Sequence, residues 1–350
     1  MRRVRSLAFA RSTLLGRAIN YLSYLVLSFV AAARSQRADV VLAQTDPPII
    51  GAIAALAARR FRCPFVFVCH DVHPDISVAM GVIRNRTVIA VWRMVNRFIR
   101  SQADRVVVVG RDMGDKLARE GVDPQKIVYV PTWSSDDAYD VPPAAELRAE
   151  MGWQDRFVVM HAGNIGLAQN IEIFLRVAER LRHDEEFVIV LMGDGAARPA
   201  LEREIAERQL RNVEVLGYRP RLAAHGLMAA ADIHVVSLVP GLWGCAAPSK
   251  TYAVMAAGRP FVAAVDPGSE PARIVAEWQC GEVVAAGDDG ALAATLSRLR
   301  STPRAEMGER ARRGFEAQYS AASCLPRLRA VIESASQAAP RSIDASRSAL

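Results

Sequence analysis

Three short stretches of this 350-residue chain bring reactive residue types together at spacings that chemistry can use. The first is Pro248-Ser249-Lys250-Thr251-Tyr252, which runs on to Gly258-Arg259-Pro260 and the apolar Phe261 to Val265. Serine caps a helix start well, glycine a helix end, and proline stops the helix. The spacing therefore predicts a short helix with Ser249 as its N-cap. Backbone N–H groups at such a start, with the Lys250 ammonium beside them, suit a diphosphate; an ordinary αβ turn uses the same residues. The second stretch is His70-Asp71-Val72-His73-Pro74-Asp75, two imidazoles and two carboxylates within six residues, directly after an apolar run. Such a set orients hydroxyls and moves protons, or holds a loop by structural hydrogen bonds. The third is Gly163-Asn164-Ile165-Gly166-Leu167-Ala168-Gln169, where two glycines let backbone approach a phosphate or close a tight turn. Two weaker candidates follow: Gly217-Tyr218-Arg219-Pro220, and Gly268-Ser269-Glu270, whose glutamate either binds a sugar hydroxyl or caps the next helix.

Such groups need a frame, and hydropathy supplies one. Strand-like runs at Asp39–Ala43, Pro64–Cys69, Arg105–Val109 and Ile127–Val130 alternate with helical patterns at Pro48–Arg60, Asn85–Ser101 and Gly114–Glu120. A polar stretch from Ser134 to Pro143 reads as a domain linker. The alternation then restarts with strands at Phe157–His161, Phe187–Met192, Val213–Leu216, Ile233–Leu238, Phe261–Val265 and Gly281–Ala285. Continuous apolar strands separated by helices predict an α/β protein with two doubly wound parallel sheets. Ligands of these sheets sit outside the carboxyl ends of the strands, where the candidate stretches fall. The expected units are 1–140, 141–320, a helix at 321–335, and a disordered Ser-, Ala- and Arg-rich tail at 336–350.

At 51% hydrophobic, the chain can bury two sizeable cores. Its net charge of +7 is local: residues 1–38 hold seven arginines and no acid, while the remaining 312 residues balance 37 basic against 37 acidic groups. A nucleic-acid binder spreads a basic stripe over a folded face, so no nucleic-acid partner is expected. Ala18 to Ala33 is sixteen residues without a charge, short of the roughly 20 that span a bilayer. No clear small-residue cleavage site follows, so a secretory signal is not expected. Two readings stand, and they can coexist: a helix buried in the first domain, or a basic helix resting on anionic lipid. The five cysteines form no Cys-x-x-Cys pair and no ligand cluster, which implies free thiols in a reducing compartment. No metal-binding DxD element is evident. No G-x-G-x-x-G with a later acid supports a dinucleotide oxidoreductase.

The motifs, taken in order, resemble family-4 glycosyltransferases of the GT-B fold, especially the bacterial exopolysaccharide, colanic acid and O-antigen subgroup. Asp39-Val-Val-Leu-Ala-Gln-Thr-Asp-Pro-Pro48, His70 to Asp75, Ala103 to Val109, Lys126 to Pro131, His161 to Gln169, Leu191-Met-Gly-Asp-Gly195 and Pro248 to Pro260 carry the resemblance over about 290 residues. It implies two Rossmann-like domains facing a cleft, with the last helix crossing back to the first domain. It also implies a nucleotide diphosphate sugar as donor, a lipid-linked saccharide as acceptor, retention of configuration, no cofactor and no metal. On that pattern the donor contacts are Gly163, Asn164, Gly166, Gln169, Tyr218, Arg219, Ser249, Lys250, Tyr252, Gly268, Ser269 and Glu270. His70 and Asp71 are the catalytic candidates, with His73 and Asp75 on the acceptor side. The implied location is the inner face of the cytoplasmic membrane, with residues 1–38 against anionic lipid.

The chain departs from the family pattern in three places. The Glu-x7-Glu pair that grips the donor ribose reads Cys245 and Ala253, which puts the nucleotide identity in doubt. The Arg and Lys usual near Asn164 and Gln169 are missing, which leaves Lys250 as the substitute cation. Roughly 70–90 residues of a typical first domain are expected to be absent ahead of Arg5, giving a shortened first sheet. An inactive partner subunit and a nucleotide-sugar epimerase of the same fold remain open as alternatives.

Overall fold

The structure is a computed structural model and describes residues 7, 9, 14–134 and 144–337. Most of the expected linker, the arginines at 2, 3, 5 and 11, and the tail from 338 lie outside the described residues. The first domain runs α1 (Leu14–Arg34), β1 (Val41–Gln44), α2 (Ile50–Phe61), β2 (Phe65–Cys69), α3 (Asp75–Ala79), α4 (Arg86–Gln102), β3 (Arg105–Val108), α5 (Arg111–Arg119) and β4 (Ile127–Tyr129). The second adds α6 (Ala144–Glu150), β5 (Phe157–Ala162), α7 (Glu172–Arg180), β6 (Phe187–Met192), α8 (Arg198–Glu207), β7 (Val213–Leu216), α9 (Arg221–Ala230) and β8 (Ile233–Ser237). It closes with α10 (Lys250–Ala256), β9 (Phe261–Val265), α11 (Glu270–Trp278), β10 (Gly281–Ala285), α12 (Asp289–Arg300), α13 (Ala305–Gly314) and α14 (Ala321–Gln337).

Both sheets are parallel throughout. The first has four strands in the order β1-β2-β3-β4, and the second has six in the order β10-β9-β8-β5-β6-β7. Central strands such as Phe65–Cys69 and Phe187–Met192 are buried along their whole length, because helices cover both faces. β1 is the edge of the first sheet, and its Leu42 is partly exposed. The first sheet never reverses direction, whereas the second does so between β5 and β8. α14 returns to the first domain: Val331 and Ala335 pack with Val66, Val68 and Val107, and Arg327 donates to the Tyr129 carbonyl at 3.2 Å.

The charge-free run at 18–33 forms α1, but it is not the buried helix that was one of the two readings. Among its residues with described side chains only Gly16 is buried, while Tyr21, Leu22, Val26 and Phe29 are exposed. Among the described elements the helix touches mainly α2, and Leu7 N and Phe9 N donate to its Ser23 Oγ at 3.2 Å and Asn20 Oδ1 at 2.8 Å.

Candidate functional site

A cleft of about 910 Å³ lies between the two sheets. The first domain contributes His70, Asp71, Ile76, Met80 and Thr132-Trp133-Ser134 to its lining. The second contributes the loops after β5, β6 and β7, one side of α9, and the segment leading into α10.

The reversal between β5 and β8 explains how the second wall is built. Loops leaving adjacent strands in opposite directions open a crevice at that point. The loop after β5 brings Gln169, and the long connection after β8 brings Lys250. They are stitched by Val239 N donating to the Ala168 carbonyl at 3.0 Å and Ser237 Oγ donating to the Gln169 carbonyl at 2.6 Å. Lys250 Nζ then lies 2.6 Å from Gln169 Oε1 and 3.1 Å from His161 Nε2. Among the described residues no carboxylate pairs with it. Burial pushes its amine down to about 7. Burial, and next the lysine charge, hold His161 well below its ordinary range. Gly163 and Gly193 let this wall close up: Gly193 has φ +145°, and a Cβ there would lie 1.9 Å from the Gly163 carbonyl oxygen.

On the opposite wall, Thr45 Oγ1 accepts from His70 N at 3.1 Å and Asp71 N at 3.4 Å, fixing the turn after β2. Burial lowers the His70 imidazole, against the pull of Asp46. Burial, and then the Asp46 charge, raise the Asp71 carboxyl to about 6. Val72 N donates to the Cys245 carbonyl at 2.8 Å, and Asp71 forms a bridge with Ala246, so the walls are pinned together beside this pair.

Gly163, Asn164, Gly166, Gln169, Tyr218, Arg219, Ser249 and Lys250 line the cleft with His70 and Asp71. Tyr218 is 80% exposed at its rim. Other expected residues stand elsewhere. Ser249 lines the cleft but does not cap α10: its backbone is already helical, at φ −58° and ψ −21°, and its side chain makes no cap bond. The Pro248 carbonyl, just ahead of α10, accepts from Thr251 N at 3.1 Å. Tyr252 is buried beneath the wall, its ring 5.0 Å from that of Tyr319 and its hydroxyl 3.4 Å from the Val109 carbonyl.

Gly268, Ser269 and Glu270 also lie off the cleft. Glu270, 1% exposed, neither meets it nor caps α11. It crosses to the first domain, accepting from Arg111 N at 2.7 Å, Arg111 Nε at 3.1 Å and the Tyr129 hydroxyl at 2.7 Å. His73 and Asp75 turn into a separate pocket of about 260 Å³. The His73 ring stacks on Trp92, and Asp75 pairs with Arg93 at 2.6 Å and Lys116 at 3.1 Å. Burial works against Asp75 ionisation, but the Arg93 and Lys116 bonds hold its carboxyl below the ordinary range.

Thr132, Trp133, Ser134, Arg221 and His225 line the cleft without having been singled out from sequence. The first three follow β4, so the strand-end rule already pointed to them. Ala253 lines the cleft where the family's second glutamate stands, and Cys245 is buried against the first domain. Among the described residues no cluster of His, Cys, Asp or Glu is arranged to hold a metal ion.

Residues 2–133 match the glycosyl transferase 4-like domain, and residues 156–302 match the glycosyl transferases group 1 domain. The chain is 29% identical over 293 residues to WbjE of Pseudomonas aeruginosa, named as a glycosyltransferase, covering 82% of this chain and 72% of WbjE. It is 25% identical to WcaI of Escherichia coli, named as a glycosyl transferase for colanic acid biosynthesis, covering 67% of this chain and 60% of WcaI. In three dimensions it superposes on HepE of Anabaena, solved with UDP, at a TM-score of 0.73 and 17% identity, covering 91% of this chain and 84% of HepE. HepE has also been solved with UDP-glucose. Two matched domains in order, joined as two parallel sheets around one cleft, place this chain in the GT-B glycosyltransferases that pair a glycosyl transferase 4-like domain with a group 1 domain.

Proposed function

We propose that this protein moves a sugar from a nucleotide diphosphate sugar to a lipid-linked saccharide, in the synthesis of a surface polysaccharide. The observation that carries the reading is Lys250, a cation held at the crevice of the second sheet by two neutral acceptors, with no carboxylate among the described residues paired to it. An anion is the partner such a group lacks. In this reading the diphosphate lies against Lys250 and the loop at Gly163–Gly166, with no metal or other cofactor, and the base reaches Tyr218 and Arg219. The WcaI and HepE names support the reading, one through colanic acid and the other through UDP and UDP-glucose complexes.

The chemistry then needs position and charge stabilisation more than a protein nucleophile. His70, neutral at pH 7 because burial lowers it, orients the transferred sugar. Asp71 faces the acceptor hydroxyl, whose proton passes to the departing donor phosphate on the same face of the sugar, retaining configuration. The acceptor is brought by an anionic membrane surface on the cytoplasmic side. Purified protein should show a raised Tm with one nucleotide sugar from a UDP, GDP and dTDP panel, and should transfer its labelled sugar to a membrane lipid fraction. Absence of both effects across the panel would leave the cleft without a donor.

A further inference from the structure

All but one of the five tryptophans are accounted for by packing. Trp153 is fully buried, and its Nε1 donates to Glu214 at 3.0 Å. Trp92 stacks on His73, ring centroids 5.6 Å apart. The Arg119 guanidinium lies 4.6 Å from the Trp243 ring centroid. Trp278 packs so closely on Gly314 that a Cβ there would lie 2.7 Å from its Cδ2. Trp133 is the exception. It is 38% exposed, and among the described residues it joins no hydrophobic cluster, its ring has no aromatic or cationic partner and its Nε1 has no acceptor. This free indole lines the cleft, with Thr132 and Ser134 on either side of it in the chain.

The first sheet fixes where the ring stands. Cys69 of β2, Val108 of β3 and Tyr129 of β4 share one register row. The segments leaving β2 and β4 therefore start two strand spacings apart, about 10 Å. One carries His70 and Asp71, and the other carries Trp133. Lys250 and the loop at Gly163–Gly166 are on the facing wall, in the second domain. The indole thus shares a wall with the His70–Asp71 pair but is set back from it. A flat π face beside a serine suits a pyranose: the negative face attracts the sugar's C–H side, and the sugar's hydroxyls are left to polar groups at the rim.

We propose that Trp133 is the platform for a sugar of the acceptor saccharide, one that is bound there without reacting. Stacking on the indole holds the acceptor so that its free hydroxyl reaches Asp71, and no bond is made or broken at Trp133. The indole takes no part in donor binding. This rests on the reading above that sugar is transferred in this cleft.

Two measurements test it. The other four indoles are buried or stacked, so acrylamide should quench Trp133 preferentially, and the Trp133→Phe protein identifies its share of the emission. Glycans released by mild acid from the membrane lipid fraction should shield that share from quenching, and UDP should not. In transfer of labelled sugar to the intact lipid fraction, Trp133→Ala should raise the half-saturating amount of lipid on the order of tenfold. Its kcat, its affinity for UDP and its Tm should stay close to wild type, and Trp133→Tyr should recover most of the loss. A structural role would instead lower kcat and Tm together. Saturation of Trp133→Ala at the wild-type amount of lipid overturns the proposal, as does a ring that the released glycans leave unshielded. Shielding by UDP, or a loss of UDP affinity in Trp133→Ala, gives the ring to the donor and overturns it too. If no nucleotide sugar of the UDP, GDP and dTDP panel binds, the transfer reading falls, and quenching with the released glycans still decides whether Trp133 holds a saccharide.

Discussion

His70 and Asp71 are neighbours on one wall, yet burial drives them toward the same neutral state from opposite sides. The imidazole is lowered and the carboxyl is raised to about 6. At pH 7 the histidine is a neutral hydrogen-bonding group, while the aspartate is ionised but within reach of protonation. Such a pair suits orienting a sugar and receiving a hydroxyl better than attacking a carbon. His70→Ala should therefore lower kcat by about 10²-fold and leave the Kd for nucleoside diphosphate nearly unchanged. Steady-state kinetics alongside calorimetry separate the two quantities, and unaltered turnover would make His70 structural. Lys250 carries the reverse expectation. Lys250→Ala should weaken nucleoside diphosphate binding by about 1.5–3 kcal/mol, the range for a hydrogen bond to a charged group. An unchanged affinity for both UDP and GDP would remove it from the site.

The elements behind these residues are held by contacts far apart in sequence. Glu270 at the start of α11 and Arg111 at the start of α5 meet across the domain boundary, with Asp112 accepting from Gly244 N at 3.1 Å beside them. Arg111→Ala leaves a buried carboxylate without its cation and should cost about 3–5 kcal/mol. Adding Glu270→Gln should recover part of that loss, and chemical denaturation of the single and double variants measures the coupling. Asp112 adds a pH signature: burial, and then the Glu270 charge, raise its carboxyl to about 6. A carboxyl raised on folding stabilises fully below its unfolded pKa, and that contribution is lost as pH rises through about 6. Asp112→Asn should therefore flatten the decline in Tm between pH 5 and 7.5, a difference on the order of 1–2 kcal/mol. A parallel decline in both proteins would place the titration elsewhere. This boundary was not legible in the sequence. Phe187–Met192 and Phe261–Val265 read directly as strands because unbroken apolar runs have one stable place in a doubly wound sheet. Lys250 and His70 could be placed because strand ends converge on the crevice. Nothing near Glu270 says that its partner is Arg111, and nothing near Asp75 says that α3 starts there and carries the carboxylate toward Lys116.

At the scale of the whole molecule, the first domain presents an apolar face that no other described element covers. Tyr21, Leu22, Val26 and Phe29 of α1 and Val88, Val91, Met94 and Phe98 of α4 are exposed, and Tyr21, Leu25, Val88, Val91 and Trp92 share a groove of about 500 Å³ with the Pro47–Pro48 turn. Among the described residues no helix is long and apolar enough to cross a membrane. An exposed apolar helix face in a chain whose residues 1–38 carry seven arginines and no acid is expected to bind an anionic lipid interface. The two contributions separate by salt. Each arginine near an anionic surface adds about 1 kcal/mol and is screened by salt, while each large apolar side chain buried in lipid adds about 1.5–3 kcal/mol and is not. The protein should thus float with phosphatidylglycerol vesicles, bind phosphatidylcholine vesicles less, and be released only in part by high salt. Leu22→Asp with Phe29→Asp should cut the partition more than tenfold, even at low salt. Both positions are exposed, so the fold should survive the change, and an unaltered Tm would confirm it. Undiminished flotation of that variant would show that α1 does not face the lipid, and the basic residues alone would have to account for any binding.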